Sequence, residues 1–203
     1  MKTHQKSLGT ERARVGALAA LAALLLASCG GSTGSGQAGG IPAGQATPAG
    51  TPSSAAAITV RSPAFAAGAA IPVRYSCRGS NTPVPLSWTG VPAGAASVAL
   101  IMDDPDAPSG TFTHWVVFNL PASSSGLANG RLPAGAAQAQ NGRGEDAYTG
   151  PCPPSGTHHY RFTIYAEPNK LALRAGASLP EALAAIKANP ISSGRLTGLF
   201  GSG

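Results

Sequence analysis

From about residue 58 onward, the chain alternates short apolar stretches with glycine- and proline-containing turns that recur every ten or so residues. This rhythm favours a mainly antiparallel β fold over alternating β and α units. The predicted strands are ITVRS, IPVRYSC, VPLSW, SVALIM, HWVVFNL and HHYRFTIYA, which begin at residues 58, 71, 84, 97, 114 and 158.

Alternation within these strands predicts which side chains are buried. In IPVRYSC, every second residue from Ile71 to Cys77 falls on one face, so Cys77 is expected to point into the core. SVALIM and HWVVFNL are apolar throughout, as expected of central strands covered on both faces. HHYRFTIYA places the even-numbered residues His158–Ile164 on one face and His159 on the other.

One helix is predicted near the carboxyl end. Ser178 and Glu181 have the spacing of a capping box, and Pro180 falls in the first turn, where its missing N–H costs nothing. The apolar stripe of this helix is Leu179, Leu183 and Ile186. The pair Asn189-Pro190 ends the helix.

The first 28 residues have the order of a bacterial lipoprotein signal. Four basic residues lie in the first 14 positions, and the apolar run 15–27 is too short to span a bilayer comfortably. It ends in LASC, which looks like a lipobox in which Cys29 becomes the lipidated first residue; the alternative is an ordinary signal peptide with an incidental cysteine. Residues 29–57 are nearly all Gly, Ala, Ser, Thr, Pro and Gln, which indicates a flexible tether. The folded domain is predicted over residues 58–203.

The cysteine count agrees with an extracytoplasmic, lipid-anchored location. If Cys29 carries lipid, Cys77 and Cys152 remain as a pair in an oxidising compartment, where a disulfide persists. We predict that they are bonded; the alternative is two buried free thiols.

The charge excludes one class of partner. The formal charge of the whole chain is +6, but removal of the first 28 residues leaves 10 basic and 7 acidic residues, a charge of +3. No cluster of Lys and Arg remains, so we do not expect the chain to bind nucleic acid. The predicted contact with a membrane is through the lipid anchor alone.

Residues capable of chemistry fall in two loops beside apolar strands. DDPDAP begins at Asp103, where Pro105 and Pro108 are expected to end the strand and hold the aspartates in a rigid turn. In the second loop, a stiffened segment from Gly150 to Gly156 leads into His158. Two such loops side by side would form a small rigid pocket of carboxylates, imidazoles, a phenol and backbone N–H groups.

The stretches DDPDAPSG, HWVVFNLP and YTGPCPPSGTHHYRFTIYA together resemble the phosphatidylethanolamine-binding protein family, in its bacterial YbhB/YbcL, Raf-kinase-inhibitor-like branch. SPAFAAGAAIPVRYSCRG, PLSWTGVPAGAASVALIMDDPDAP and GRLTGLFG fit the same branch, so the resemblance covers nearly all of residues 58–200. It implies an antiparallel β-sandwich with one or two short peripheral helices. It also implies a pocket for phosphate-like groups and a homodimer.

The resemblance also implies which residues bind the ligand. The positions that match the family's pocket are Asp104, Asp106, Phe112, His114, Gly150, Pro153, Pro154, His158 and Tyr160. A carboxylate beside an imidazole fixes its tautomer and raises its pKa, so the histidines are expected to offer N–H to an anion. Asp103 and Asp146 are interpreted as turn formers, His159 as a surface residue, and Arg143–Asp146 as a solvated loop.

These observations predict a non-enzymatic binding module without a cofactor, which captures a small anion or regulates a protein partner such as a kinase or a protease. One alternative is a hydrolase that uses the Asp/His pocket with Ser109 or Ser155, although neither serine lies in a G-x-S-x-G motif. The other is a metal site that contains His114, His158 and Asp104 or Asp106, whose ligand types suit zinc.

Overall fold

The structure is a computed structural model that describes residues 57–202. The predicted signal peptide, Cys29 and all of the tether except Ala57 lie outside the described residues. Within residues 57–202, no helix combines the length and the hydrophobicity needed to cross a bilayer.

The described residues form eight strands and one α-helix, with a single turn of 3₁₀ helix. In chain order these are β1 (Thr59–Arg61), the 3₁₀ turn (Val73–Tyr75), β2 (Leu86–Thr89), β3 (Ser97–Asp104), β4 (Phe112–Pro121), β5 (Gly126–Leu127), β6 (Ala137–Ala139), β7 (Thr157–Glu167), α1 (Leu179–Ala188) and β8 (Ser192–Gly201). The strands form an antiparallel sheet of three in the order β1-β2-β5 and one of five in the order β6-β4-β3-β7-β8. The predicted mainly β, antiparallel architecture is confirmed.

The main hydrophobic core lies between the two sheets. Trp88 of β2 is buried there with Leu100 of β3, Trp115 of β4 and Phe162 of β7. The even-numbered residues His158–Ile164 are all buried, as the alternation predicts. Burial of side chains this large is the main favourable term in the stability of the domain.

A second core covers the opposite face of the five-stranded sheet. Ile101 of β3 and Phe118 of β4 pack there with Ala182 and Ile186 of α1. The two central strands are therefore buried on both faces, which confirms the prediction from their unbroken apolar runs. The helix begins after Ser178 and ends before Asn189 as predicted, but the Ser178 side chain makes no capping hydrogen bond.

The predicted strand Ile71–Cys77 is wrong. Backbone hydrogen bonds from Tyr75 to Pro72 and from Ser76 to Val73 close a 3₁₀ turn instead. Ile71 and Tyr75 are buried, but the Val73 side chain is 54% exposed and Cys77 is exposed too. Two residues four positions apart lie on the same face both in a strand and in a helical turn. The burial of Ile71 and Tyr75 therefore does not distinguish a strand from a helical turn.

Strand β8 was not predicted, because its three glycines interrupt the apolar pattern. Gly194 lies against the backbone of Ile58, where an added Cβ would come within 1.7 Å of the Ile58 carbonyl oxygen. Gly198 lies against the side chains of Phe65 and Ile71. Glycine in a strand often marks such a close approach, so the residues that hide the strand in the sequence also allow it to pack.

Candidate functional site

A pocket of about 190 Å³ opens where β3 ends and where β4 and β7 begin. Its walls are Asp104, Ala107, Pro108, Phe112, His114, Arg143, Thr149, Cys152, Pro153, Pro154, His158 and Tyr160. Two larger open grooves, of about 570 and 550 Å³, lie along β1 and contain Arg61 as their one ionisable residue. The two loops rich in reactive side chains therefore meet at the smaller pocket.

A β-bulge turns His114 toward this pocket. Met102 pairs with Trp115 and Asp103 pairs with Thr113, so His114 is the extra residue on β4. Strict alternation would group His114 with Val116, which faces the helix. Bulges commonly redirect a side chain at a functional site.

The backbone determines which nitrogen of His114 carries its proton. His114 Nδ1 lies 2.7 Å from the carbonyl oxygen of Thr149, which can only accept, so Nδ1 donates and Nε2 is left free. Burial lowers the pKa of His114, although the hydrogen bond to Thr149 and the charge of Asp104 act in the opposite direction. Asp104 thus acts on His114 in the expected direction, but the expectation of a raised pKa for this histidine is wrong, since desolvation outweighs the charge.

His158 has a carboxylate as its partner. Its Nδ1 donates to Asp104 Oδ2 at 2.8 Å, and both side chains are buried. Asp104 Oδ1 accepts the backbone N–H of Asp106 at 2.8 Å. Both oxygens of Asp104 are thus engaged, and His158 keeps Nε2 as its free nitrogen.

The Tyr160 hydroxyl is buried and makes no hydrogen bond of normal length and angle within the described part of the chain, although the Asp104 carboxylate and the Cys152 backbone lie close enough to affect its pKa. The residue has 0% exposure, and burial raises the pKa of its hydroxyl, so it stays protonated at neutral pH. Its ring packs edge-on against His114 with centroids 5.2 Å apart. Buried hydroxyls without a partner are uncommon in native proteins, and this one lies in the pocket wall.

The pocket wall that contains Cys152, Pro153 and Pro154 is held in place by a disulfide. Cys77 and Cys152 are bonded, as predicted, and the Cys77 N–H donates to the Pro151 carbonyl. Because three of the four residues from Pro151 to Pro154 are prolines, this wall has one backbone N–H, that of Cys152. Of the predicted loop N–H donors, this segment therefore offers that of Cys152 alone.

Two of the residues implied by the resemblance lie outside the pocket wall. Asp106 Oδ2 accepts bonds from both the backbone N–H and Nδ1 of His159, each at 2.8 Å, and the backbone bond is the main cause that lowers the pKa of Asp106. His159 is exposed, as predicted. Gly150 donates its N–H to Asn81 Oδ1 and packs against the Tyr75 carbonyl with no room for a side chain.

Two charged residues that were predicted to lie in a turn or in a solvated loop contribute to the fold or to the pocket. Asp103 is not a turn former: it lies in β3 and binds Arg161 Nε and Nη2 at 2.7 and 2.8 Å. Arg143 is exposed, as expected of a solvated loop, and it also lines the pocket, as does Thr149. Arg143 lies outside the stretches that carry the resemblance, so the sequence gives no signal for its place in the site; Thr149 lies in YTGPCPPSG but is not among the residues predicted to bind the ligand.

The alternative functions find little to support them in the described residues. Ser109 and Ser155 are exposed and do not line the pocket. No group of three or more His, Cys, Asp and Glu side chains in residues 57–202 is placed to hold a metal ion.

Comparisons with known proteins agree with the fold. A sequence model of the family described as phosphatidylethanolamine-binding protein matches residues 61–201. LppC of Mycobacterium tuberculosis, a candidate lipoprotein by name, is 44% identical over 180 residues, which cover 86% of this chain and 89% of LppC. A UPF0098 protein of Methanothermobacter thermautotrophicus is 49% identical over 138 residues, covering 66% of this chain and 91% of that protein.

Two crystal structures are similar to this chain. A candidate phosphatidylethanolamine-binding protein homolog from Chlamydia trachomatis, CT736, superposes with a TM-score of 0.67 at 38% identity, covering 71% of this chain and 97% of that one. YbcL of Escherichia coli, described as a member of the mammalian family, superposes with a TM-score of 0.67 at 32% identity, covering 72% and 99%.

Proposed function

Because this chain belongs to the phosphatidylethanolamine-binding protein family, we propose that it is a lipid-anchored, extracytoplasmic binding module whose pocket holds a small phosphate-type anion. The observation that carries the proposal is the buried Tyr160 hydroxyl, which makes no hydrogen bond of normal geometry in the described residues and lines the pocket with His114 and His158. A buried hydroxyl without a partner costs free energy, and a ligand oxygen would supply the missing acceptor.

The free nitrogens of the two histidines suit the same ligand. Both Nδ1 atoms donate to protein oxygens, so each ring is held in one orientation with Nε2 available. An imidazole that takes up a proton at Nε2 becomes a charged donor to an anion, and such hydrogen bonds are the stronger kind.

The size of the pocket limits the ligand to a headgroup or a free small molecule. Its volume of about 190 Å³ is below the roughly 300–1,000 Å³ of pockets that enclose drug-sized ligands. A phosphate with a short substituent fits this limit, whereas the acyl chains of a lipid would have to remain outside.

The pocket residues fit a binding site better than the active site of a hydrolase. Of the pocket residues, Thr149 carries the one aliphatic hydroxyl, and its Oγ1 accepts a hydrogen bond from Asn141 Nδ2 at 3.0 Å. No histidine hydrogen-bonds this hydroxyl in the described residues, since His114 Nδ1 bonds the Thr149 carbonyl oxygen instead, and a hydroxyl nucleophile needs a base as its partner. The pocket therefore favours capture of an anion over hydrolysis.

The anchor is proposed from the lipobox-like LASC segment and from the similarity to LppC. Labelled palmitate should be incorporated into the wild type and lost in Cys29→Ser. Recovery of soluble, unlabelled wild-type protein would rule out the anchor while leaving the pocket proposal intact.

The pocket is tested by calorimetric titration of the full chain in detergent with inorganic phosphate. We expect His158→Ala and His114→Ala to weaken binding while circular dichroism shows an intact fold. The matched control is His159→Ala, because His159 is the neighbouring histidine but lies outside the pocket. Equal affinities for all three variants and the wild type, or no binding at all, would contradict the proposal.

A further inference from the structure

The charges around the pocket do not by themselves attract an anion. Of its ionisable residues, Asp104 is negative, and burial keeps the Tyr160 hydroxyl protonated and His114 neutral at pH 7. The formal charges of the pocket side chains other than Arg143 sum to −1 if His158 is neutral and to zero if His158 is protonated. Arg143 is thus the one pocket residue whose positive charge does not depend on pH.

The guanidinium of Arg143 has no partner in the described part of the chain. The three ion pairs there join Asp104 to His158, Asp106 to His159, and Asp103 to Arg161. The backbone N–H of Arg143 donates to Asn141 Oδ1, but its side chain makes no hydrogen bond. Its charge nevertheless acts on His114, where it contributes to the lowered pKa.

The loop that carries Arg143 is held in a defined shape. Asn141 is buried, and its Oδ1 accepts the N–H groups of both Arg143 and Glu145 at 2.8 and 3.2 Å. Asn141 Nδ2 donates to the Ala147 carbonyl and to Thr149 Oγ1, which joins this turn to the pocket wall.

Two glycines allow this turn to form. Gly144 has a φ of +79°, which glycine adopts without strain. Gly142 lies so close to the Phe112 ring that an added Cβ would come within 2.6 Å of it. Arg143 is therefore presented to the pocket by a turn that packs directly on a pocket residue.

We propose that Arg143 determines the specificity of the pocket: it favours a doubly charged phosphate monoester with a neutral substituent over a phosphodiester and over a monoester that carries an ammonium group. This inference rests on the proposed function. A guanidinium binds two phosphate oxygens side by side, and a monoester leaves three oxygens free for Arg143, Tyr160 and the histidines. A diester carries one charge and has fewer free oxygens, while the ammonium group of phosphorylethanolamine is repelled by the guanidinium at the exposed rim.

The test compares methyl phosphate, dimethyl phosphate and phosphorylethanolamine by calorimetry on the full chain in detergent. At about pH 7.5, a phosphate monoester is mostly doubly charged, because its second pKa is near 6. The wild type should bind methyl phosphate most tightly. Arg143→Gln should lose about tenfold on methyl phosphate, the lower end of the effect of a hydrogen bond to a charged group, and its affinities for the three ligands should differ less than those of the wild type.

Two further variants separate charge, geometry and general effects. Arg143→Lys keeps the positive charge but not the two parallel N–H donors of the guanidinium, so we expect an intermediate loss of affinity for methyl phosphate. Arg174→Gln removes the same charge from an exposed residue outside the pocket and should leave all three affinities unchanged. Short-chain phosphatidic acid tests whether the natural ligand is a lipid. It should bind more tightly than methyl phosphate if the monoester is carried on a lipid, and with equal affinity if the ligand is a soluble molecule. Both results support a monoester.

The outcomes distinguish this inference from the proposed function. If Arg143→Gln binds methyl phosphate as tightly as the wild type while His158→Ala does not bind, Arg143 does not determine specificity and the anion pocket stands. If the wild type prefers phosphorylethanolamine, the inference is likewise overturned. If the wild type binds none of the three ligands, the proposed function fails and this inference fails with it.

Discussion

Asp104 and His158 connect the end of β3 to the beginning of β7 through a hydrogen bond of 2.8 Å between Oδ2 and Nδ1. The aspartates on either side make parallel connections: Asp103 binds Arg161 and Asp106 binds His159. All three carboxylates therefore attach the same segment to β7, and of the three only Asp104 lines the pocket. The three aspartates within residues 103–106 therefore have one structural role in common, and one of them also has a place in the pocket.

The three aspartates should respond differently to conversion to asparagine. Asp103→Asn breaks a bidentate, partly buried pair and should lower the free energy of unfolding by about 1–3 kcal/mol without changing phosphate affinity. Asp106→Asn should leave both quantities unchanged, because that pair is exposed. Only Asp104→Asn should change the affinity for phosphate. Denaturant unfolding and calorimetry check the series, and equal effects on affinity at all three positions would contradict it.

Removal of the Tyr160 hydroxyl should change stability and binding in opposite directions. In the free protein, Tyr160→Phe removes a buried polar group that has no partner in the described residues, so the free energy of unfolding should rise by about 1 kcal/mol. Phosphate affinity should fall, because the ligand loses a donor. Thermal unfolding with and without phosphate measures both effects. A variant that is less stable than the wild type would show that the hydroxyl has a structural partner instead.

Anion affinity should depend on pH through His114. Sulfate is a suitable probe because it stays doubly charged at neutral and mildly acidic pH. A bound dianion raises the pKa of His114, so a proton is taken up on binding and the affinity rises as the pH falls. Since burial lowers the pKa of free His114 from 6.5, the rise should level off only below pH 6.5.

Two variants assign this pH dependence. His114→Gln should remove the part that depends on His114. Asp104→Asn removes a charge that raises the pKa of His114, so its affinity curve should level off at a lower pH than that of the wild type. A wild-type curve that levels off above pH 6.5 would contradict the role of burial.

The disulfide should stabilise the fold and the pocket together. The 75-residue separation of Cys77 and Cys152 corresponds to about 4 kcal/mol in the chain-entropy account of cross-links. The double variant Cys77→Ser/Cys152→Ser should lose stability of this order in denaturant unfolding. Its phosphate affinity should also fall, because Cys152 lines the pocket. Unchanged affinity in a destabilised variant would show that the prolines alone hold this wall.

The sequence predicts those parts of the fold in which local pattern and tertiary environment agree. Residues 98–102 of β3 and 115–118 of β4 form unbroken apolar runs because they are covered on both faces, and β7 alternates because one face is buried between the sheets. In β8, close approach to Ile58 and Phe65 requires glycines, and these glycines erase the pattern. Packing between distant segments decides such positions, and no local pattern reports it.

Some residues of the candidate site are predictable from the sequence and others are not. His114, His158 and Tyr160 belong to motifs, so the sequence is sufficient to propose them. Arg143 belongs to a loop of charged residues that resembles any solvated turn, and its place over the pocket depends on the buried bonds of Asn141. The lowered pKa of His114 also follows from burial, which a motif does not indicate.

The last prediction concerns Glu167, which ends β7 and is buried without a hydrogen-bond partner for Oε1 in the described residues. Burial raises the pKa of its carboxyl to about 7. A carboxyl whose pKa is raised in the folded state contributes stability that is fully present below its unfolded value of 4.5 and is lost as the pH rises through about 7. The loss should approach about 3 kcal/mol at pH 8, from roughly 1.4 kcal/mol per pKa unit.

Glu167→Gln keeps the shape of the side chain and removes its titration. The variant should therefore gain stability relative to the wild type as the pH rises from 5 to 8, measured by denaturant unfolding of the full chain. Comparing variant with wild type at each pH cancels the contribution of His114, which acts in the opposite direction below pH 6.5. The matched control is Glu181→Gln, an exposed glutamate in the first turn of α1, for which the difference from wild type should be nearly constant with pH. If the two variants show the same pH dependence, Glu167 is already ionised and paired at neutral pH, and its burial does not destabilise the sheet.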